Sequence, residues 1–137
     1  MLNAHPIRPG GNGVEQFTFS PEAAFVPRDD KLDRVTVAPL TPPISERSPF
    51  QAAVFRIAPG GRIGPSTATM PQIFAVLEGQ GDVTGEDGVN TRIVAGDAVL
   101  LTPGEDHEAT SASGLTLLII EGDGLDRFRQ HPTSPAA

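Results

Sequence analysis

The chain has 137 residues, with 17 acidic against 10 basic side chains and a formal net charge of −7 at pH 7. This length predicts one domain that is large enough to bury a core. The negative charge repels phosphate backbones, so a nucleic-acid partner is not expected. The chain has no Cys, which excludes disulfides, thiolate metal sites and a cysteine nucleophile, and fits a cytoplasmic protein. No apolar run reaches the roughly 18 residues of a membrane span, so no membrane partner is expected.

Short alternating apolar runs lie between many Gly and Pro residues, which is typical of an all-β chain. Residues 1–13 show no periodicity and are expected to form an arm. Strands are predicted, in chain order, over residues 15–20, 34–40, 50–58, 72–77, 82–84, 91–94, 98–101, 107–113 and 115–120. The first is expected at an edge, with Phe17 and Phe19 on one face. The last is almost wholly apolar and is expected to be covered on both faces.

Turn signals separate these strands. Residues 41–49 contain three Pro and predict a loop. Pro59-Gly60-Gly61 is expected to turn the chain after one strand, and Glu78-Gly79 to end another. Glu86-Asp87-Gly88 predicts a hairpin, because Gly accepts the positive φ of primed turns. A short helix is predicted over residues 124–130.

This pattern favours a double-sheet jelly roll or barrel with loose ends. We expect an N-terminal arm and edge strand over residues 1–33. The barrel itself is expected over residues 34–122, and a short helix and tail over residues 123–137.

Two glycine-punctuated blocks carry the most specific signal in the chain. The first reads Gly60, five residues, Ser66-x-Ala68, three residues, Gln72, six residues, Gly79, and the second reads Gly96, five residues, Thr102-x-Gly104, two residues, His107, three residues, Ser111. Across residues 50–121 this frame resembles the paired motifs of small single-domain cupins of the conserved-barrel type. The resemblance implies a double-stranded β-helix, with side chains 66, 68, 72 and 107 converging on one point.

The resemblance also implies a degenerate metal site. In cupins these four positions usually hold His, His, Glu and His, whereas here they hold Ser66, Ala68, Gln72 and His107. Stable divalent sites generally need three or four ligands, and one imidazole with one amide oxygen is too few. We therefore expect no metal and no other cofactor, with a weak divalent metal at His107 left open as an alternative.

His107 has two interpretations. As a catalytic residue it would be a general acid or base in an apolar bowl, because imidazole exchanges protons near neutral pH. Alternatively, it is a former ligand that is now only a hydrogen-bonded interior side chain. Glu108 follows it directly and is expected to face away, because neighbouring side chains on a strand alternate.

A set of substrate-binding residues is expected around His107. Ser66 and Gln72 would orient a carbonyl or hydroxyl group, and Ala68, Met70 and Phe74 would line the pocket. Arg56 shares a strand face with Val54, so it either enters the bowl as an anion anchor or extends along its rim.

Several functions remain open at this stage. The first is a cofactor-independent cyclase, isomerase or lyase that acts on a small apolar carbonyl compound through His107. The second is a non-catalytic binding or sensing module, and the third is a weakly metal-bound oxygenase. The resemblance further implies a homodimer.

Overall fold

The computed structural model describes residues 8–9 and 13–125, and these residues form a closed antiparallel β-barrel. Its strands are β1 Arg8–Pro9, β2 Glu15–Gln16, β3 Leu32–Pro39, β4 Phe50–Thr67, β5 Gln72–Thr84, β6 Asn90–Val94, β7 Ala98–Leu101, β8 Asp106–Ser111 and β9 Leu115–Gly122. A 3-10 turn, Pro21–Ala23, precedes β3. The predicted all-β jelly-roll class is confirmed. Within the described ranges, no helix is long and apolar enough to cross a membrane.

Two long strands close the barrel. Residues 50–57 of β4 pair with β9, and residues 61–67 pair with β8. In the same way β5 pairs with β9 through its first half and with β8 through residues 82–84. Each long strand therefore passes from one sheet to the other, and the two sheets face each other across the interior.

The predicted ends of these two strands were wrong. Pro59-Gly60-Gly61 and Glu78-Gly79 lie inside β4 and β5, where they bend the strands without ending them. Gly79 has a φ of +83°, and a Cβ added there would lie 2.3 Å from the carbonyl oxygen of Gly114. The glycines do mark irregular backbone, as expected, but the irregularity is a bend within a strand at a corner of the barrel and not the end of the strand.

Other elements follow the sequence with local differences. The β5–β6 hairpin forms as predicted, with Gly88 at a φ of +80°. The predicted edge strand over residues 15–20 shrinks to Glu15–Gln16, which pairs with β1, and Phe17 and Phe19 are largely exposed. The predicted arm lies mostly outside the described residues, as does the predicted 124–130 helix from residue 126 onward.

The hydrophobic core fills the space between the sheets. Alternate residues of β9, Leu115, Leu117 and Ile119, point inward and are buried. The intervening residues are only half-buried, so the expectation that β9 is covered on both faces holds for the inner face alone.

One polar side chain is buried against this core. Ser111 Oγ donates a hydrogen bond to the carbonyl of Gln80 at 2.7 Å and accepts one from the amide of Gly114 at 2.8 Å. It thereby ties the turn before β9 to the bend of β5. A buried hydroxyl with both bonds satisfied stabilises this corner at little desolvation cost.

We predict that Gly79→Ala is much more destabilising than Gly88→Ala. Both glycines have a positive φ, which costs an Ala about 1–2 kcal/mol, but only Gly79 also meets backbone atoms within 4 Å. The extra crowding should add about 1–3 kcal/mol. Urea unfolding of the two variants measures the difference, and equal losses of stability would contradict the steric account of the corner.

Candidate functional site

A cavity of about 360 Å³ opens between the two sheets. Its lining is mostly apolar and comes from β3, β4, β5, β7, β8, β9 and the segments before β3 and β4. The apolar lining residues are Phe25, Leu32, Val37, Pro39, Pro43, Ala52, Ala53, Phe55, Ile63, Phe74, Leu101, Ala109 and Ile119. A concave apolar space with a few polar groups is the usual form of a small-molecule site.

Four of the residues predicted from sequence lie together in this lining: Ser66, Gln72, Phe74 and His107. Ser66 and His107 are directly paired neighbours on β4 and β8. Gln72 lies on the opposite sheet, where β5 pairs with β9. Ser66 and His107 therefore lie on one wall of the cavity and Gln72 on the other, and Phe74 is a buried part of the lining.

Three predicted residues are not part of the lining. Ala68 lies just past the end of β4, where its carbonyl accepts a hydrogen bond from the amide of Gly104. Met70 is half-buried in the segment that leads to β5. Both residues lie between β4 and β5, where no strand alternation directs side chains into the barrel.

Arg56 is also outside the cavity. On β4 it alternates with Phe55 and Ile57, which belong to the core, so it occupies the outer face of the sheet. Its Nη1 is buried without a hydrogen-bond partner among the described residues. The structure therefore does not place Arg56 as an anion anchor inside the bowl.

The two ring nitrogens of His107 have different surroundings. Nδ1 is buried and has no hydrogen-bond partner within the described part of the chain. The ring as a whole is only partly buried. Because Nδ1 is shielded, a contact between the ring of His107 and an occupant of the cavity would have to be made through Nε2.

A polar pair that was not predicted from the sequence, Gln51 and Glu121, lies on the wall opposite His107. Glu121 of β9 is the direct neighbour of Gln51 on one side and of Gln72 on the other. Gln51 Nε2 donates a hydrogen bond to Glu121 Oε1 at 3.2 Å, and both residues line the cavity. Period-two alternation from Leu117 through Ile119 was the signal that places Glu121 inward.

Glu108 also belongs to the residues that line the cavity. The strand that pairs with it is irregular at this point, because the pairing skips from Ile63–Ala109 to Ser66–His107. Two residues of β4 therefore oppose one of β8, which is a bulge beside Glu108.

The residues of the cavity do not fit a divalent metal ion. Among residues 8–9 and 13–125, no group of three or more His, Cys, Asp or Glu side chains is placed to hold one. Around His107 the nearest family positions offer a hydroxyl and a neutral amide, which are weak ligands. No chemical step is therefore assigned to a metal.

Comparison with solved structures agrees with this architecture. The fold matches a Cupin 2 conserved barrel domain protein from Salinispora arenicola with a TM-score of 0.66 and 22% identity, covering 85% of this chain and 96% of that one. It matches the polyketide cyclase RemF from Streptomyces resistomycificus with a TM-score of 0.67 and 19% identity, covering 80% of this chain and 79% of that one. It also matches a predicted oxalate decarboxylase from Thermotoga maritima, with a TM-score of 0.58, 23% identity and coverage of 64% of this chain and 79% of that one.

These identities are low enough that the matches show a shared fold only. The sequence has no match among curated proteins. Residues 53–121, half of the chain, match the family described as Cupin domain. The frame of glycines, the closed barrel and this match lead to one conclusion: the chain belongs to the cupin family.

Proposed function

We propose that this cupin binds a small, largely apolar molecule in its barrel and uses His107 to transfer a proton without a metal ion. The observation that carries the proposal is the 360 Å³ cavity, in which Ser66, Gln72 and His107 are polar groups on a mostly apolar lining. A cavity of this size suits a one- or two-ring compound.

The polar groups support a ligand that carries a carbonyl or hydroxyl. The Ser66 hydroxyl and the Gln72 amide can each donate and accept a hydrogen bond. A ligand oxygen held by the Ser66 hydroxyl would lie beside His107, the direct neighbour of Ser66 across β4 and β8, while the Gln72 amide would hold a polar group at the opposite wall. Where that oxygen belongs to a carbonyl group, Nε2 of His107 would then be available to take a proton from the carbon next to the carbonyl group.

Among the solved structures of the same fold, the polyketide cyclase supports the proposed reaction class. That protein is named a polyketide cyclase, and ring closure of a polyketide acts on a compound that is rich in carbonyl groups. Such ring closure requires removal and return of protons beside carbonyls, which is the chemistry one imidazole can supply. Cyclase, isomerase and lyase reactions share this step.

A non-catalytic binding or sensing role is the second candidate, and one observation favours it. Nδ1 of His107 has no hydrogen-bond partner among the described residues, so no second group fixes the tautomer or the orientation of the ring. Catalytic imidazoles are usually oriented in that way. The weakly metal-bound oxygenase is the least supported, because no group of three His, Cys, Asp or Glu side chains suited to a metal occurs in the part of the chain that the structure describes.

We further propose that the protein acts as a homodimer in the cytoplasm. The absence of Cys fits a reducing compartment. Val14, Phe17 and Phe19, which flank and follow β2, are exposed apolar side chains of the kind that a partner surface covers.

Filling the cavity should weaken binding. Ala53 lines the cavity, so Ala53→Phe should weaken the binding of 2-naphthol by at least about tenfold, which is 1.4 kcal/mol. Ala98→Phe is the matched control, because Ala98 is exposed and lies outside the lining. Titration followed by amide chemical shifts measures both affinities, and equal binding by the two variants would place the ligand elsewhere.

Proton transfer can be tested with a simple ketone. In D₂O, the protein should accelerate exchange of the α-protons of 1-tetralone, since Nε2 takes the proton and returns a deuteron from solvent. His107→Gln should slow the protein-dependent exchange by about 10²–10⁴-fold while 1-tetralone still binds. Binding without accelerated exchange in the unmodified protein would favour the non-catalytic role.

The proposed independence from metal predicts weak Zn²⁺ binding. We expect calorimetric titration to show no tight site in the unmodified protein. Ser66→His combined with Gln72→Glu would add two ligands beside His107 and should raise Zn²⁺ affinity by about 1,000-fold or more, close to 4 kcal/mol. A stoichiometric, tightly held ion in the unmodified protein that is lost in His107→Gln would contradict the proposal.

A further inference from the structure

The cavity contains a carboxylate that the proposed proton transfer does not use. Glu121 lies near the end of β9, between Gln51 on β4 and Gln72 on β5. It is half-buried and lines the cavity on the sheet that faces the Ser66–His107 pair.

A chain of hydrogen bonds holds this carboxylate in place. The amide of Ile44 donates to Gln51 Oε1 at 2.8 Å, which fixes the orientation of the Gln51 side-chain amide. Its Nε2 therefore points to Glu121 and donates to Oε1 at 3.2 Å. A carboxylate can accept several hydrogen bonds, and this contact uses only part of that capacity.

No cation in the cavity balances the charge of Glu121. The lining contains neither Lys nor Arg among the described residues, and Arg56 lies on the outer face of β4. The other two charged lining residues, Asp29 and Glu108, are acidic as well. The surrounding walls are apolar, so they screen the carboxylate less than bulk water would.

We propose that Glu121 is a specificity-determining residue, which makes the cavity accept an amine-bearing or neutral apolar molecule and reject carboxylates and phosphates. An ammonium group beside Glu121 would form a charge-assisted hydrogen bond with the carboxylate. An anionic group there would meet like charge, and the described lining offers no Lys or Arg to compensate it. The inference rests on the proposed binding function and names its class of ligand.

Three probes on one apolar scaffold test the charge preference: 2-naphthylmethylamine, 2-naphthylmethanol and 2-naphthoate. Their affinities are measured by amide chemical-shift titration in the full chain at pH 7. The unmodified protein should bind the amine at least about tenfold more tightly than the alcohol, as expected for a hydrogen bond to a charged group. The carboxylate should bind more weakly than the alcohol.

Glu121→Gln should remove the preference for the amine and leave the affinity for the alcohol within about threefold. The amide oxygen of the new side chain can still accept the hydrogen bond from Gln51, so the wall should keep its shape. Glu78→Gln is the matched control, because it removes the same charge from an exposed position outside the lining. This control should keep the preference of the unmodified protein.

The outcomes separate this inference from the proposed function. If the alcohol binds but the amine is not preferred, or if Glu121→Gln keeps the preference, the role of Glu121 is overturned and the binding function stands. Equal binding of naphthoate and the amine would also overturn it. If none of the three probes binds in the cavity, the proposed function fails and this inference fails with it.

Discussion

The whole barrel depends on a backbone that turns a corner while it remains a strand. β4 and β5 make this turn where Gly61 and Gly79 approach neighbouring carbonyl oxygens more closely than a Cβ would allow. Because β8 and β9 each pair with both long strands, the two corners close a ring of hydrogen-bonded strands. This closure sets the Ser66–His107 pair on one wall and Gln72 with Glu121 on the other.

The chemistry of the cavity follows from which side chains remain at the family's ligand positions. One imidazole with a hydroxyl and an amide offers hydrogen bonds and a transferable proton, but few strong electron-pair donors. On the opposite wall, Glu121 adds a charge that the sequence motif does not include. The polar groups are thus divided between two walls, which suits an elongated apolar ligand with a polar group at each end.

The sequence predicted the fold class and half of the site. Ser66, Gln72 and His107 stand at motif positions, and together with Phe74 they all line the cavity. The glycines within β4 and β5 predict a turn or a strand end, because the local sequence does not distinguish a bend within a strand from the end of that strand. Whether the Arg56 side chain enters the cavity is decided by which face of β4 turns inward, and that face is set by pairing with strands that are distant in sequence. The bulge of β4 beside Glu108 likewise arises from strand pairing, which no pattern within β8 reveals.

Gln51 connects two parts of the molecule that are distant along the chain. Its oxygen accepts from the backbone of the Pro-rich loop at Ile44, and its nitrogen donates to Glu121. Thr41 and Pro43 of the same loop line the cavity. A ligand that draws the Glu121 carboxylate toward itself therefore also pulls on this loop through the side-chain amide of Gln51. The rate at which a ligand leaves becomes a property of the loop as well as of the wall, so substitutions at loop positions outside the lining can change release.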